Sequence, residues 1–151
     1  MSKREELTNF IVRGFDYLLT REEQTMGKVC SEVSLKEIHL IDKIGDAEKR
    51  GNNTAGEIAR DCGVTLGTLT TTTNKLASKG YIDRIKADLD KRIIRLTLTE
   101  KGYSIYKRYK AYHTKLASDT LLTLTPEDQD ELFKCIRLME KYFLSGENKN
   151  D

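Results

Sequence analysis

Proline and cysteine are both scarce in this chain of 151 residues. A single proline, Pro126, is typical of a helix-rich protein with few irregular linkers. The three cysteines, Cys30, Cys62 and Cys135, are odd in number and far apart, which does not fit a disulfide framework and favours a reducing compartment. The longest uncharged run, residues 62–74, is polar and shorter than the ~20 apolar residues of a membrane span. Because no apolar signal region is visible at the N-terminus either, we expect a cytoplasmic protein with no membrane partner.

The motifs of the common enzyme classes are also missing. The chain has no Gly-rich phosphate loop, no paired carboxylates at a strand end and no Ser/His/Asp set. Cys30 and His39 by themselves are a weak basis for covalent catalysis. We therefore expect a protein that is not an enzyme and that carries no cofactor.

Charge is distributed unevenly, although the net charge is only +2. Residues 65–117 contain twelve Lys and Arg against four Asp and Glu, a net of +8. Residues 118–151 contain four basic and eight acidic side chains, a net of −4. A basic segment joined to an acidic one indicates binding to a polyanion, and ordinary solvated surface charge is the alternative interpretation.

The N-terminal part predicts two helices. Apolar residues at helical spacing predict an amphipathic helix over the first ~20 residues, followed by a softer stretch at residues 25–33. A capping box from Ser34 to Glu37 starts the second helix, because its two side chains satisfy each other's free backbone donors. Gly45 and a later Gly-Asn-Asn sequence predict the end of that helix.

A helix-turn-helix follows. A second capping box, Thr54 to Glu57, starts a short helix that ends at Gly63. Thr65 can cap the next helix, which runs to Gly80. Two helices joined by a short turn have the spacing of a helix-turn-helix.

The next segments read as a hairpin and two more helices. YIDRIKA and IIRLTLT alternate apolar and polar residues on either side of the polar sequence DLDKR, which predicts two antiparallel strands. Thr99 opens a long helix. Pro126 occupies the first position of the last helix, where its missing N–H costs nothing.

These elements predict an α+β fold, mostly α, in a single domain over residues 1–151. The winged helix-turn-helix occupies about residues 34–99. The flanking helices, at about 4–27 and 99–145, have apolar faces that the winged core is too small to cover. We therefore expect a two-fold homodimer held by these helices, and folding back onto the same chain is the alternative.

The helix after Thr65 has the composition of a DNA-reading helix. Leu69, Thr73 and Leu76 are spaced to pack inward, which leaves the opposite face for binding. Four consecutive threonines lower helix propensity, so helicity alone does not explain them. Their hydroxyl and methyl groups suit phosphates, base edges and thymine methyl groups, and the absence of arginine favours A·T-leaning sites. The predicted DNA-contacting residues of this helix are Thr65, Leu66, Gly67, Thr68, Thr70, Thr71, Asn74 and Lys75.

The hairpin supplies the second predicted contact with DNA. Asp90, Lys91 and Arg92 lie at its tip. A narrow A·T minor groove attracts an inserted arginine, and Asp90 is placed to hold the Arg92 side chain extended. Arg84, Lys86 and Lys91 are then expected to neutralise phosphates. Ordinary surface ion pairs, or a winged helix used only for protein interaction, are the alternatives.

The order of a helix, a helix-turn-helix and the segments KGYI, DLDKR and LTLTEKG resembles the MarR family of dimeric winged-helix regulators over essentially the whole chain. Within that family, VSLKEIHLIDKIG, VTLGTLTT and YKAYHTKL resemble the FabT-like branch, which represses fatty-acid synthesis genes with acyl chains on acyl carrier protein as effector. The resemblance implies a repressor of a roughly palindromic double-stranded operator. It places Arg92 in the minor groove, Asp90 as its orienting partner, and residues 65–75 in the major groove.

The same resemblance points to a place for an effector. In the family fold, the helices that carry His39 and His113 line a cleft. The resemblance therefore implies a pocket for an acyl chain, or for another small aromatic or lipophilic ligand, and buried structural histidines are the alternative. The predicted effector-pocket residues are Ile38, His39, Tyr106, Tyr109 and His113.

Zinc or peroxide sensing are further alternatives within the family. Glu23, Cys30, His39 and His113 are a candidate zinc ligand set, since such sites need three or four N, S or O ligands in tetrahedral geometry. Zinc-sensing relatives have a histidine where this chain has Tyr109, so we expect no metal site. No cysteine occupies the N-terminal-helix position that thiol-based sensors use.

Overall fold

A computed structural model of the chain describes residues 1–144, which contain six α-helices and one two-stranded sheet. This architecture, with a helix-turn-helix followed by a hairpin, confirms the predicted α+β, mostly helical fold class. The elements are α1 (Lys3–Val29), α2 (Leu35–Arg50), α3 (Ala55–Asp61), α4 (Leu66–Ser78), β1 (Ile82–Lys86), β2 (Ile94–Leu98), α5 (Glu100–Leu121) and α6 (Pro126–Leu144).

Side chains cap the helices where the sequence predicts. The Ser34 Oγ accepts a hydrogen bond from the Glu37 N–H (3.3 Å), and the Glu37 carboxylate accepts one from the Ser34 N–H (2.8 Å). The same reciprocal pair joins Thr54 and Glu57 at the start of α3. The Thr65 Oγ1 accepts from the N–H of the third residue of α4, at 3.2 Å. The boundaries of the helix-turn-helix therefore come from local backbone chemistry.

Two predictions about the N-terminal helices are wrong in part. The stretch at residues 25–33 does separate the first two helices, but the separation starts later than predicted, because α1 continues to Val29 and buries Met26 in its last turns. Gly45 does not end α2, which runs on to Arg50 and stops at a left-handed Gly51 (φ 74°). Gly45 has a packing role instead, since a Cβ there would lie 2.6 Å from Cδ2 of Tyr106.

The hairpin has the predicted antiparallel pairing. Ile82 of β1 lies opposite Leu98 of β2, and Lys86 lies opposite Ile94. The loop between them is closed by a hydrogen bond from the Ala87 N–H to the Ile93 carbonyl (2.9 Å). The sequence DLDKR therefore forms the wing tip.

Two compact units make up the chain, Met1–Lys110 and Ala111–Asp151. The core of the first is mostly aliphatic and includes Ile41, Ile44, Ile58 and Leu96. In the second, the Gln129 side chain donates to the carbonyl of Leu121 (3.0 Å), and Thr125 caps α6 with Asp128. None of the helices in residues 1–144 combines the length and apolar character needed to cross a bilayer.

Candidate nucleic-acid interface

Helix α4 has one buried face and one exposed face, as predicted. Leu69, Thr73 and Leu76 point inward, with 2%, 1% and 0% of their surface exposed. Of the residues predicted to contact DNA, Thr70 is half-buried and the others are exposed: Thr65, Leu66, Gly67, Thr68, Thr71, Asn74 and Lys75. The exposed face therefore presents small polar groups, one leucine and one lysine.

The threonine hydroxyls already have partners within the helix. Thr71 donates to the carbonyl of Gly67 (3.2 Å), and Thr72 donates to the carbonyl of Thr68 (3.3 Å). Such bonds to the preceding turn satisfy the hydroxyl hydrogen. At Thr71 this leaves a methyl group and an acceptor oxygen for a ligand, which suits a thymine methyl group or an adenine amino group.

Arg84 fastens the hairpin to α4. Its Nη1 donates to the Thr73 Oγ1 at 2.8 Å and lies 3.5 Å from the carbonyl oxygen of Thr70. Arg84 was predicted to neutralise a phosphate. In the structure its side chain is half-buried and holds strand β1 against the buried face of α4.

Asn53 provides a second tie that sequence reasoning missed. Its side-chain amide donates to the Leu96 carbonyl at 2.8 Å, and its backbone carbonyl accepts from the Leu96 N–H at 2.9 Å. Its side-chain oxygen accepts from Arg95 at 3.0 Å. In the sequence Asn53 reads only as a helix breaker, and no local signal shows that it holds strand β2.

The wing tip presents Arg92, the residue predicted to enter the minor groove, together with Asp90, its predicted orienting partner. Arg92 is 95% exposed along its side chain. The Asp90 Oδ1 accepts from the Arg92 backbone N–H at 2.9 Å and lies 3.9 Å from its Nε. Asp90 therefore orders the backbone of the turn and only loosely holds the guanidinium. Lys86 and Lys91 are exposed on the same hairpin.

Several basic side chains of residues 65–117 already pair with carboxylates, so less positive charge is available to a polyanion than the net +8 suggests. Lys79, Lys101 and Lys110 each lie within hydrogen-bonding distance of a carboxylate from outside the segment, respectively Glu37 (2.9 Å), Glu32 (3.1 Å) and Asp46 (2.8 Å). Partial burial opposes ionisation of Glu37, but hydrogen bonds from Ser34 and Lys79 bring its pKa below the ordinary value. The positive charge left for a polyanion therefore lies mainly on α4 and the wing.

Tyr81 joins the end of α4 to the loop before α2. It is 1% exposed, and its hydroxyl donates to Glu32 (3.0 Å) and lies 3.1 Å from the Sγ of Cys30. Burial, and the hydrogen bonds to Cys30 and Glu32, raise the pKa of Tyr81. Cys30 therefore packs against the Tyr81 hydroxyl.

The predicted effector-pocket residues have different surroundings. The ring of His39 packs 5.5 Å from that of Tyr109, and its Nε2 lies 3.3 Å from the buried Glu22 carboxylate. Ile38 is a buried core residue that borders a small cavity beside the end of α1. Tyr106 is buried and donates to Asp46 at 2.7 Å.

His113 belongs to the second unit, where its ring packs edge-on against Tyr112 at 5.1 Å. No group of three or more His, Cys, Asp or Glu side chains within residues 1–144 is arranged to hold a metal ion. The zinc alternative built on Glu23, Cys30, His39 and His113 therefore has no ligand set in the described part of the chain.

Comparison with known proteins finds a family match over part of the chain. A model described as the MarR family matches residues 33–94, the stretch that contains the helix-turn-helix and most of the wing. The helix-turn-helix and most of the wing are therefore similar to those of the MarR family. MarR-family proteins are transcription regulators and not enzymes, which confirms the expectation of no catalytic function.

Individual proteins are similar to this chain over different lengths. The structure of Streptococcus pneumoniae FabT in complex with DNA is 27% identical, covers 95% of this chain and 99% of that one, and has a TM-score of 0.86. The Staphylococcus aureus MepR–DNA complex is 15% identical, covers 90% and 97%, and has a TM-score of 0.67, which shows a shared fold. The regulator SarZ of Staphylococcus haemolyticus is 32% identical over 71 residues, 47% of each chain, so this likeness spans about half of SarZ.

Proposed function

We propose that this chain is a repressor that binds a palindromic, A·T-leaning double-stranded operator. The observation that carries the proposal is the bond from Arg84 to Thr73, because it joins the exposed threonine face and the arginine-tipped wing into one rigid surface. Residues 65–75 read the major groove, and Arg92 enters the minor groove beside it. The likeness to FabT bound to DNA supports this assignment.

Salt dependence tests the proposal. Because Lys75, Lys86, Lys91 and Arg92 are exposed, we expect binding to duplex DNA to weaken steeply as salt rises. The log of the affinity should fall by ~0.9 per log unit of salt for each neutralised phosphate. Fluorescence anisotropy with a labelled duplex, measured across a salt series, gives the slope. Binding that is absent or insensitive to salt would instead favour a protein-interaction module.

We propose a homodimer held by the flanking helices, at about residues 4–27 and 99–145. Residue 145 lies outside the described residues. Helix α1 exposes a series of large apolar side chains, with Phe10 70% exposed, and α6 exposes another, with Phe143 58% exposed. Contiguous apolar surface of this kind marks an interaction site. A second copy with the same faces is the partner that two-fold symmetry supplies.

A charge placed on the proposed interface should break the dimer. We expect Phe10→Glu to yield a monomer, because each copy would bring an unpaired carboxylate into the apolar interface. Native mass spectrometry measures the mass directly. Leu89→Glu is the matched control, since Leu89 is a fully exposed apolar residue at the wing and should leave the dimer intact. A Phe10→Glu protein that remains dimeric would place the interface elsewhere.

We further propose that the regulated genes belong to fatty-acid synthesis and that acyl chains on acyl carrier protein are the effector. Support comes from the segments that resemble the FabT-like branch and from the likeness to FabT itself. The His39–Tyr109 ring contact is the place where the pocket is expected to open. We expect carrier protein that bears a long acyl chain to change operator affinity. Carrier protein without an acyl chain should leave the affinity unchanged. Equal anisotropy curves with both would contradict this part of the proposal.

A further inference from the structure

The exposed face of α4 has an opening in its first turn, at Gly67. Gly67 and Thr71 are four residues apart, so they are neighbours on the same face of the helix. Apart from the adjoining residues and the backbone of α4, a Cβ at Gly67 would meet one atom of residues 1–144 within 4 Å, the Thr65 Oγ1 at 3.9 Å. The space can therefore hold one more methyl group, and we call it the Gly67 notch.

Thr71 forms the floor of the Gly67 notch. Its side chain leans towards the preceding turn, as helical side chains do, and its Oγ1 donates to the Gly67 carbonyl at 3.2 Å. Because Thr71 is exposed and its hydroxyl hydrogen is used in that bond, its methyl group is the apolar end left for a partner. Thr72 makes the same kind of bond to the Thr68 carbonyl, but there the side chain of Thr68 occupies the equivalent position.

We propose that the Gly67 notch receives the C5-methyl group of one operator thymine. This inference rests on the proposed DNA-binding function and names the base that one position of α4 selects. The C5-methyl group lies in the major groove, where it marks thymine by apolar contact. The Thr71 methyl group and the Gly67 Cα would enclose it, and any side chain at position 67 would take its place.

The surroundings of the notch favour thymine over adenine, the other base that Thr71 suits. An adenine amino group would use the Thr71 Oγ1 as acceptor and leave the space beside Gly67 empty, whereas a thymine methyl group fills that space. The adjoining Leu66 is 54% exposed and adds apolar surface. Glycine and threonine are both poor helix formers, so helix stability does not explain this pair.

Replacing single thymines by uracil tests the assignment, because uracil differs from thymine only in lacking the C5-methyl group. The probe is a duplex that the wild-type protein selects from a randomised library, with each thymine replaced in turn. At one thymine of each half-site, uracil should weaken wild-type binding about fourfold, the effect of one buried methyl group. Fluorescence anisotropy at a single salt concentration gives the affinities.

Gly67→Ala should reverse this preference. Because the alanine methyl group fills the notch, binding to the thymine duplex should weaken about fivefold or more, as expected for one overpacked methyl group. The uracil duplex should then bind better than the thymine duplex. Alanine is the stronger helix former, so unfolding of α4 would not explain the loss. Thr71→Ser keeps the hydroxyl, removes the methyl floor and should lose most of the preference for thymine.

Gly56→Ala is the matched control. Gly56 is the second residue of α3, as Gly67 is of α4, and a Cβ at Gly56 also lies in open space. This variant should keep the wild-type preference for thymine. Tolerance of uracil at every position in the wild type, or an unchanged preference in Gly67→Ala, would overturn the assignment and leave DNA binding itself intact. Failure to select any duplex would contradict the proposed function as well.

Discussion

Gly102→Ala is expected to destabilise the protein by about 1–3 kcal/mol, the cost of forcing extra atoms into a packed site. Gly102 lies in the first turn of α5, and a Cβ there would overlap the backbone carbonyl oxygen of Tyr81. That carbonyl accepts the Thr99 N–H at 3.1 Å, so it cannot move away without weakening the hydrogen bond. A clash with backbone is not relieved by changing a rotamer.

Thermal and urea unfolding measure the effect. For a chain of this size, each kcal/mol lowers the Tm by about 2–4 °C. Gly56→Ala is the matched control, because a Cβ at Gly56 meets nothing within 4 Å and the residue lies in α3. Alanine there should be neutral or stabilising by about 0.5–1 kcal/mol through its helix propensity. If both variants unfold at the wild-type temperature, the close approach of α5 to Tyr81 is not present in solution.

Arg92→Ala is expected to lower operator affinity about tenfold, the size of one lost groove contact. The loss should be largest on duplexes with A·T-rich flanks, because the narrow minor groove there concentrates the negative potential that attracts an arginine. On duplexes with G·C-rich flanks the same variant should lose much less. Anisotropy titrations on the two duplexes at one salt concentration give the comparison.

Lys91→Ala is the matched control on the same wing tip. If Lys91 contacts a phosphate, the Lys91→Ala variant should lose the same operator affinity on both duplexes. It should also reduce the slope of log affinity against log salt by about one unit. A loss at Arg92 that does not depend on the flanking sequence would assign the guanidinium to the phosphate backbone. Circular dichroism of both variants should match the wild type, since neither side chain is buried.

The sequence by itself determined the order of the helices, their capped starts, the hairpin and the basic tip. Each of these depends on signals within a few residues: Ser34 with Glu37, Thr54 with Glu57, and the alternation in the strands. Local hydrogen bonds and apolar periodicity act over the same short distance, so they are visible in one sequence. The exposed and buried faces of α4 follow from that periodicity alone.

Only the tertiary structure decided which of the basic residues are committed to partners. Lys79 and Glu37 are 42 positions apart, and Lys110 and Asp46 are 64 positions apart. No local pattern predicts such pairs, because they form only when the packing of the helices brings remote segments together. The contact of Arg84 with α4 likewise forms only when the hairpin packs on that helix. The charge of Arg84 alone predicted a phosphate contact.

The glycines show the same division. Gly51 ends α2 through its own left-handed backbone, which is a local property of the chain. Gly45 and Gly102 lie inside helices, where a sequence reading takes glycine as a breaker or as a neutral residue. Their function is to let Tyr106 and the Tyr81 carbonyl approach closely, and that requirement exists only once the remote segments are packed.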